Sequence, residues 1–196
     1  MCESLRVAPT TGSLDDAKRA LRSRMLAVTR VIGSDPARRG ERSRRVCGGL
    51  VEVVAAHLER LAIGGPAADG RREQRVMVFE PFRTEPDLTW FVDWCGEQHV
   101  QVFVPEVDGD VMWVVPGRVP PATLDVVVVP GLAFSPDGHR LGRGRGHYDR
   151  FLVGVGPHCL RVGVGFSEQL VADMPTAAHD VRLDAVITDA GAASRP

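Results

Sequence analysis

The sequence predicts an α/β fold in which a mostly parallel central sheet is flanked by helices. Short apolar runs, typical of buried strands, recur after residue 75, and helical stretches separate several of them. Strands that alternate with helices pair in parallel and place the helices on the faces of the sheet. The chain has 196 residues, 44% of them hydrophobic. That is enough for one sizeable core and too little for two ordinary domains.

We therefore expect a single domain over residues 14–190, with about five or six strands in one layer. Residues 1–13 are expected to form a flexible N-terminal extension, and residues 191–196 a flexible C-terminal tail.

Two helices are predicted at the start of the domain. Ser13, followed by two acidic residues, is typical of a helix N-cap. Apolar residues then recur at helical spacing as far as Gly33, and a second helix is predicted from Pro36 to about residue 61. The run 64–72, rich in Gly, Ala and Asp, predicts an exposed loop.

The later elements are short. The predicted strands cover residues 76–79, 100–104, 111–115, 126–129, 160–164 and 185–187, and further helices are predicted over 87–95 and 148–153.

The bulk composition excludes several classes of protein. A net charge of −1 argues against nucleic acid as a partner, because binding to a phosphate backbone requires a basic surface. No apolar run approaches the roughly 20 residues that span a bilayer, and the first residues lack a signal-peptide pattern. We therefore expect a cytoplasmic protein. The four cysteines have neither metal nor redox spacing, which favours free, partly buried thiols.

Lys18 is the only lysine in a chain that is rich in arginine and has no asparagine. Such a composition indicates a coding bias that exchanges lysine for arginine wherever chemistry permits. A lysine that survives this bias is needed for its compact ammonium group, or it survives by chance on a helix surface. Arg22 lies four residues further on and shares its helix face.

The segment with the clearest chemistry follows an all-apolar strand that ends at Pro130-Gly131. Three glycines at alternate positions then enclose two arginines, in the run Gly142-Arg-Gly-Arg-Gly146, and a helix is predicted to open near Tyr148. Glycines let backbone amides approach an anion, and ligands of α/β sheets bind beyond the carboxyl ends of strands. This pattern predicts a polyphosphate cradle, with a glycine-rich surface turn as the alternative.

The same segment resembles the signature of the 5-formyltetrahydrofolate cyclo-ligases, also called methenyltetrahydrofolate synthetases. The resemblance lies in Arg140-Leu-Gly-x-Gly-x-Gly-x-Tyr-Asp-Arg150 and in the preceding Val129-Pro-Gly-Leu-Ala-Phe. The second supporting block runs from Val162-Gly-Val-Gly-Phe to Leu183-Asp-Ala-Val-Ile-Thr188, and a looser one is Lys18-Arg-Ala-Leu-Arg22.

The resemblance implies a fold similar to sugar-phosphate isomerases and CoA transferases. It also implies ATP-dependent cyclisation of 5-formyltetrahydrofolate to 5,10-methenyltetrahydrofolate, with magnesium and ATP required. The formyl oxygen would attack the γ-phosphate, and ring closure would then expel phosphate. The implied partners are small molecules, with no nucleic acid and no membrane, and the protein is expected to be a monomer.

Roles for individual residues follow from the resemblance. Catalytic roles are implied for Lys18 and Arg145, and ATP contacts for Lys18, Arg22, Gly142, Arg143, Gly144, Arg145, Gly146, His147, Tyr148 and Asp149. Substrate contacts are implied for Phe82, Glu85 and Tyr148, and magnesium binding for Asp149 and Asp180. The alternatives are an acid partner for Arg22, a turn cap for Asp180, a helix N-terminal charge for Asp149 and a core position for Tyr148.

Three features depart from the family pattern. His147 replaces an aromatic residue, Leu88 stands where threonine is common, and the connection over residues 114–123 is short. These departures leave two alternatives open. The chain could be a paralogous cyclo-ligase that acts on another formylated or amide substrate, or a non-catalytic ATP-binding module.

Overall fold

The computed structural model describes residues 11–64 and 73–193. Two long helices come first: α1 (Thr11–Gly33) and α2 (Pro36–Gly64). Ser13 lies inside the first turn of α1, so its prediction as the N-cap is wrong. A side-chain cap is present at α2, where Asp35 accepts a hydrogen bond of 3.0 Å from the Arg38 backbone N–H. The predicted loop 64–72 lies almost wholly outside the described residues.

The remaining elements follow in chain order. The strands are β1 (Arg75–Met77), β2 (Gln101–Asp108), β3 (Val111–Val115), β4 (Val126–Val129), β5 (Ala133–Phe134), β6 (Arg140–Leu141), β7 (Leu160–Val164), β8 (Ala185–Thr188) and β9 (Gly191–Ala193). The later helices are α3 (Thr89–Glu97) and α4 (His147–Leu152), and 3₁₀ turns cover Pro121–Thr123 and Ser167–Gln169.

The main sheet has seven strands in the order β3-β2-β1-β4-β7-β8-β9. The five inner strands are parallel, and β3 and β9 pair antiparallel at the two edges. The predicted α/β fold with a mostly parallel sheet is confirmed. Gly191–Ala193, predicted to belong to a flexible tail, form β9 instead. The two-stranded sheet β5-β6 was not predicted.

Both faces of the sheet are covered. On one face, α2 and α3 pack against the strands through Leu50, Val54 and Phe91. On the other face lie Phe134 and α4, the latter through Phe151. All four valines of β4 are buried, as expected for a central strand of a parallel sheet. None of the helices in the described ranges is long and apolar enough to cross a membrane.

Helix α1 packs away from the main sheet, on the segment that follows β4. Its Leu21 and Met25 form a small separate core with Leu132, Ala133 and Leu141 of the β5-β6 region. This packing places the exposed end of that region beside the polar face of α1.

Three cysteines in the described residues are free and buried. Burial raises the pKa of the Cys47 thiol to about 11 and those of Cys95 and Cys159 to about 12. These thiols are therefore packing residues at neutral pH. Cys2 lies outside the described residues.

The buried Arg42 of α2 ties that helix to the carboxyl ends of β7 and β8. Its guanidinium bonds to Asp189 after β8, at 2.6 Å, and to Glu168 after β7, and it lies 4.7 Å from the Phe166 ring centroid. Burial opposes ionisation of Asp189, but hydrogen bonds from Arg42 and from the Ser167 N–H outweigh it and lower its pKa.

We expect Arg42→Met to lower the free energy of unfolding by about 3–5 kcal/mol, because it leaves a buried carboxylate unpaired. Urea denaturation checks this. Since the pKa of Asp189 is lowered in the folded state, its contribution to stability is present above the unfolded value of about 3.9. The contribution is lost as pH falls through the folded value, so the difference between the two proteins should shrink in acid.

Arg44→Met is the matched control on the same helix. Arg44 is exposed and lies 5.5 Å from the Trp90 ring centroid, a contact worth about 0.5–1 kcal/mol. Equal losses in the two variants would contradict the importance of the Arg42 network.

Candidate active site

Four segments meet beyond the carboxyl ends of the parallel strands. They are the polar face of α1, the loop after β1 (residues 80–88), the glycine-rich loop between β6 and α4 (Gly142–Gly146), and the segment 174–180 that precedes β8. The carboxyl edge of the sheet is where ligands bind in open α/β folds. The structure therefore brings the sequence-predicted residues into one region.

Lys18 and Asp180 form an ion pair that joins α1 to the segment before β8. The Nζ–Oδ2 distance is 2.6 Å, and the side chains are 11% and 12% exposed. Asp180 also accepts a 2.7 Å hydrogen bond from the Ala177 N–H, as a turn cap does. Burial opposes ionisation of Asp180, but the bonds from Lys18 and Ala177 outweigh it and lower its pKa. Lys18 is thus held inside the site rather than on the surface.

Arg22 contacts the glycine-rich loop one helical turn away from Lys18. Its Nε donates to Gly142 O at 3.2 Å, and its guanidinium lies about 3.5 Å from the point that a Cβ of residue 144 would occupy. The alternative prediction for Arg22 was an acidic partner, but its hydrogen-bond partner is this backbone carbonyl. Gly144 and Gly146 have φ values of +101° and +67°, which favour glycine.

Arg143 lies on the side of the loop that faces the segment 80–88. Its Nη2 is 3.4 Å from Glu85 Oε1, and its guanidinium is 4.6 Å from the Phe82 ring centroid. Glu85 is only 6% exposed, and its Oε2 accepts a 3.0 Å hydrogen bond from the Phe82 N–H. The structure therefore groups Arg143 with the predicted substrate residues. Arg145 is exposed on the same loop.

Asp149 is held by Arg140, a residue that the sequence analysis did not assign to the site. Arg140 Nη2 donates to Asp149 Oδ1 at 2.6 Å, and the Arg140 side chain is 4% exposed. The guanidinium also lies 5.5 Å from the ring centroid of Tyr148. An arginine in a strand of only two residues gives no periodic signal, and only its place in the family motif pointed to it.

The three departures from the family pattern lie in different parts of the structure. Leu88 is buried in the core between α2 and α3, so it acts in packing. His147 is the first residue of α4 and is partly buried. The short connection after β3 is closed by a 3.0 Å hydrogen bond from Val119 N–H to Val114 O.

The predicted magnesium ligands do not form a cage by themselves. Among the described residues, no three His, Cys, Asp or Glu side chains are grouped so that they could hold a metal. Asp149 and Asp180 each contact a cation instead. Magnesium is usually bound through one or two carboxylates, substrate phosphates and water. Each of these carboxylates has a second oxygen that could bind an ion arriving with a polyphosphate.

The hydroxyl of Tyr148 is buried and has no hydrogen-bond partner among the described residues. Burial raises the pKa of Tyr148 well above its ordinary value. Tyr148 is the only tyrosine in the chain, so tyrosinate absorbance follows this residue alone. We expect no titration near pH 10 while the protein stays folded. The contribution of the neutral Tyr148 to the free energy of unfolding is fully present below the unfolded pKa. It is lost as pH rises through the folded pKa.

Tyr148→Phe is the control, because it removes the signal without changing the ring. Tyrosinate absorbance near the ordinary pKa, with unchanged circular dichroism, would contradict the burial of this hydroxyl.

Comparisons with known proteins agree with the motif. The model of the 5-formyltetrahydrofolate cyclo-ligase family matches residues 115–189. Mouse 5-formyltetrahydrofolate cyclo-ligase is 37% identical over 75 residues, which are 36% of this chain and 37% of that protein. The probable enzyme of that name from Caenorhabditis elegans is 41% identical over 69 residues, 33% of this chain and 34% of that protein. The chain thus spans about a third of the length of these curated relatives.

Other similarities extend further. The 5-formyltetrahydrofolate cyclo-ligase of Mycoplasma pneumoniae is 26% identical over 119 residues, 58% of this chain and 72% of that protein. The structure of a 5,10-methenyltetrahydrofolate synthetase from Mycoplasma pneumoniae has a TM-score of 0.70 at 21% identity, and covers 88% of this chain and 98% of that one. That of the Aquifex aeolicus synthetase has a TM-score of 0.67 at 26% identity, and covers 89% of this chain and 91% of that one.

The resemblance is therefore confirmed: in sequence over residues 115–189, and in fold over most of its length, this chain is similar to the 5-formyltetrahydrofolate cyclo-ligase family.

Proposed function

We propose that this protein is an ATP-dependent cyclo-ligase that converts 5-formyltetrahydrofolate into 5,10-methenyltetrahydrofolate and releases ADP and phosphate. One observation carries the proposal: Arg22 of α1 contacts the glycine-rich loop, with the Lys18–Asp180 pair one helical turn away, and Arg143 of the loop in turn contacts Phe82 and Glu85. A cationic, glycine-rich loop thus stands directly beside an exposed aromatic ring.

The glycine-rich loop and α1 would bind the triphosphate of ATP. Gly144 and Gly146 lack a Cβ where the guanidinium groups of Arg22 and Arg150 approach, so cations stand close to the loop backbone that would bind an anion. The exposed Arg145 is free to approach the transferred phosphoryl group, and Lys18 supplies a compact ammonium beside it. These charges match the negative charge of a phosphoryl transition state.

The loop after β1 would hold the formylated substrate. Phe82 is 60% exposed, and the guanidinium of Arg143 lies against its ring. This leaves a flat apolar surface for an aromatic ring system. Because Arg143 belongs to the phosphate loop, a substrate on Phe82 would lie next to the nucleotide, which is the positioning that the reaction needs.

The reaction requires no protein nucleophile. The formyl oxygen attacks the γ-phosphorus and ADP leaves; nitrogen 10 then attacks the formyl carbon, and its proton and inorganic phosphate depart. Magnesium, when bound with the nucleotide, offsets charge on the phosphates. Asp149 and Asp180 would hold it, and Arg140 and Lys18 keep these carboxylates in place. The monomeric state and the cytoplasmic location stay predictions.

The direct test is to incubate the protein with 5-formyltetrahydrofolate, magnesium and ATP, and to follow the absorbance of the methenyl product together with ADP. We expect both products in equal amounts, and neither when ATP or magnesium is omitted. ADP release that depends on a formylated or amide compound other than the folate would assign the same chemistry to another substrate. Absence of both products would contradict the proposal.

Arg145→Ala should lower kcat/KM for ATP by roughly a hundredfold, because the transferred phosphoryl group loses a preorganised cation. Initial rates at varied ATP measure this. The control is Arg19→Ala: Arg19 lies on α1 but forms only an exposed 2.8 Å ion pair with Asp16, so its rates should stay within about twofold of the wild type. Unchanged kinetics for Arg145→Ala would remove that residue from the site.

A further inference from the structure

Gln169 ends the 3₁₀ turn Ser167–Gln169, and its amide is used in full. The residue is 1% exposed. Its Nε2 donates to Gly131 O at 2.8 Å and to Leu132 O at 3.2 Å, and its Oε1 accepts from the Phe166 N–H at 2.8 Å. An uncharged side-chain amide has two N–H donors and a carbonyl acceptor, which is what these three bonds require.

The two carbonyls that Gln169 holds lie at the root of the glycine-rich loop. Gly131 and Leu132 follow β4 and begin the excursion that contains β5, β6 and the loop. The Leu132 N–H donates to Leu141 O at 2.8 Å, and Leu141 directly precedes Gly142. The Gln169 amide is therefore hydrogen-bonded to Leu132, which is itself hydrogen-bonded to the residue before the loop.

The packing around this amide leaves little room for it to shift. A Cβ at Gly131, Gly163 or Gly165 would come within 2.7–2.9 Å of the Phe134 ring, and one at Gly165 would also lie 3.0 Å from Gln169 Oε1. The Phe134 ring is thus packed tightly against Gly131, Gly163 and Gly165, and the Gln169 amide lies against Gly165, directly after β7. The other end of its turn is held by Arg42 through Ser167 and Glu168.

The same turn also touches α1, the helix that carries Lys18 and Arg22. The turn thus contacts the helix on one side and the root of the loop on the other. It is therefore one of the contacts, beside Lys18–Asp180 and Arg22–Gly142, that lie between α1 and the region of the glycine-rich loop.

From this geometry we infer that Gln169 is a positioning residue for the nucleotide phosphates, a role that rests on the proposed function. Because it is fully buried, it acts without touching ATP. Loss of its amide would free the root of the loop from the turn and move the loop relative to α1. Binding of the formylated substrate, which would rest on Phe82, depends less on Gln169. Phe82 lies on the loop after β1 and contacts the glycine-rich loop through Arg143.

The test compares Gln169→Met with Gln74→Met. Methionine fills a similar volume and removes the hydrogen bonds. Gln74 is a matched control, because its Nε2 donates to one backbone carbonyl, Leu58 O, at 3.1 Å. It directly precedes β1, at the amino ends of the strands, whereas the candidate site lies beyond their carboxyl ends. Gln169→Met should raise KM for ATP by about tenfold or more, since small misplacements of binding groups carry large costs. KM for the formylated substrate should stay within about twofold, as should both constants in Gln74→Met.

A purely structural role predicts a different pattern. A variant that is only less stable has fewer active molecules, so kcat falls while both KM values hold. That pattern, or wild-type kinetics, would overturn the inference. If the wild type does not turn over the folate, the dissociation constant of ATP can be compared between the wild type and the two variants instead. The inference then requires that Gln169→Met, and not Gln74→Met, weakens ATP binding. A wild type that binds no ATP would overturn the inference as well.

A measurement on the unmodified protein covers the case in which Gln169→Met fails to fold. The chain has four glutamines and no asparagine, so its side-chain amide spectrum contains only four pairs of resonances. ATP should shift the Gln169 pair and leave the Gln74 pair in place. Equal or absent shifts at both positions would rule out the coupling between this amide and the phosphate site.

Discussion

The ion pair between Lys18 and Asp180 is the contact on which the geometry of the site depends. It joins residues 162 positions apart in the chain and fixes α1, which otherwise packs on a small separate core, to the segment before β8. Breaking one partner of a buried pair is costly, because the other charge stays buried and uncompensated. The cations of α1 are therefore held at the site before any anion binds, and that is the condition for electrostatic preorganisation.

The remaining charges repeat this arrangement. Arg140 is paired with Asp149 and Arg143 with Glu85, whereas Arg22 and Arg145 form no ion pair within the described part of the chain. Each carboxylate fixes the position of one cation, and the two further arginines leave the site with an excess of positive charge. A polyphosphate would meet cations whose positions are set by neighbours, so little reorganisation would accompany its binding.

The sequence predicted most of the sheet because each inner strand contains a short apolar run, and β4 is apolar throughout. The bounds of β3, β4 and β7 agree with their predictions. β5, β6 and β9 are two or three residues long, too short for any periodicity to indicate them. The glycine-rich loop was visible in the spacing of its residues. The contact of Arg143 with Glu85 spans 58 positions, and the bonds of Gln169 depend on a fold that sequence patterns do not specify.

Two of the three departures from the family pattern, Leu88 and the short connection over residues 114–123, lie outside the glycine-rich loop. Leu88 lies in the core, and the turn after β3 is tight and has Arg118 stacked 4.6 Å from the Trp113 ring centroid. From there the chain passes through a single 3₁₀ turn into β4. The phosphate side, by contrast, keeps every cation that the motif predicts. In the proposed reaction, phosphoryl transfer would depend on those cations and not on the connection after β3, so the shortened connection would act on the affinity for the formylated substrate. The chemistry at phosphorus would then fall to α1 and the glycine-rich loop, with the Ser167–Gln169 turn in contact with α1 and bonded to Gly131 and Leu132 before the loop.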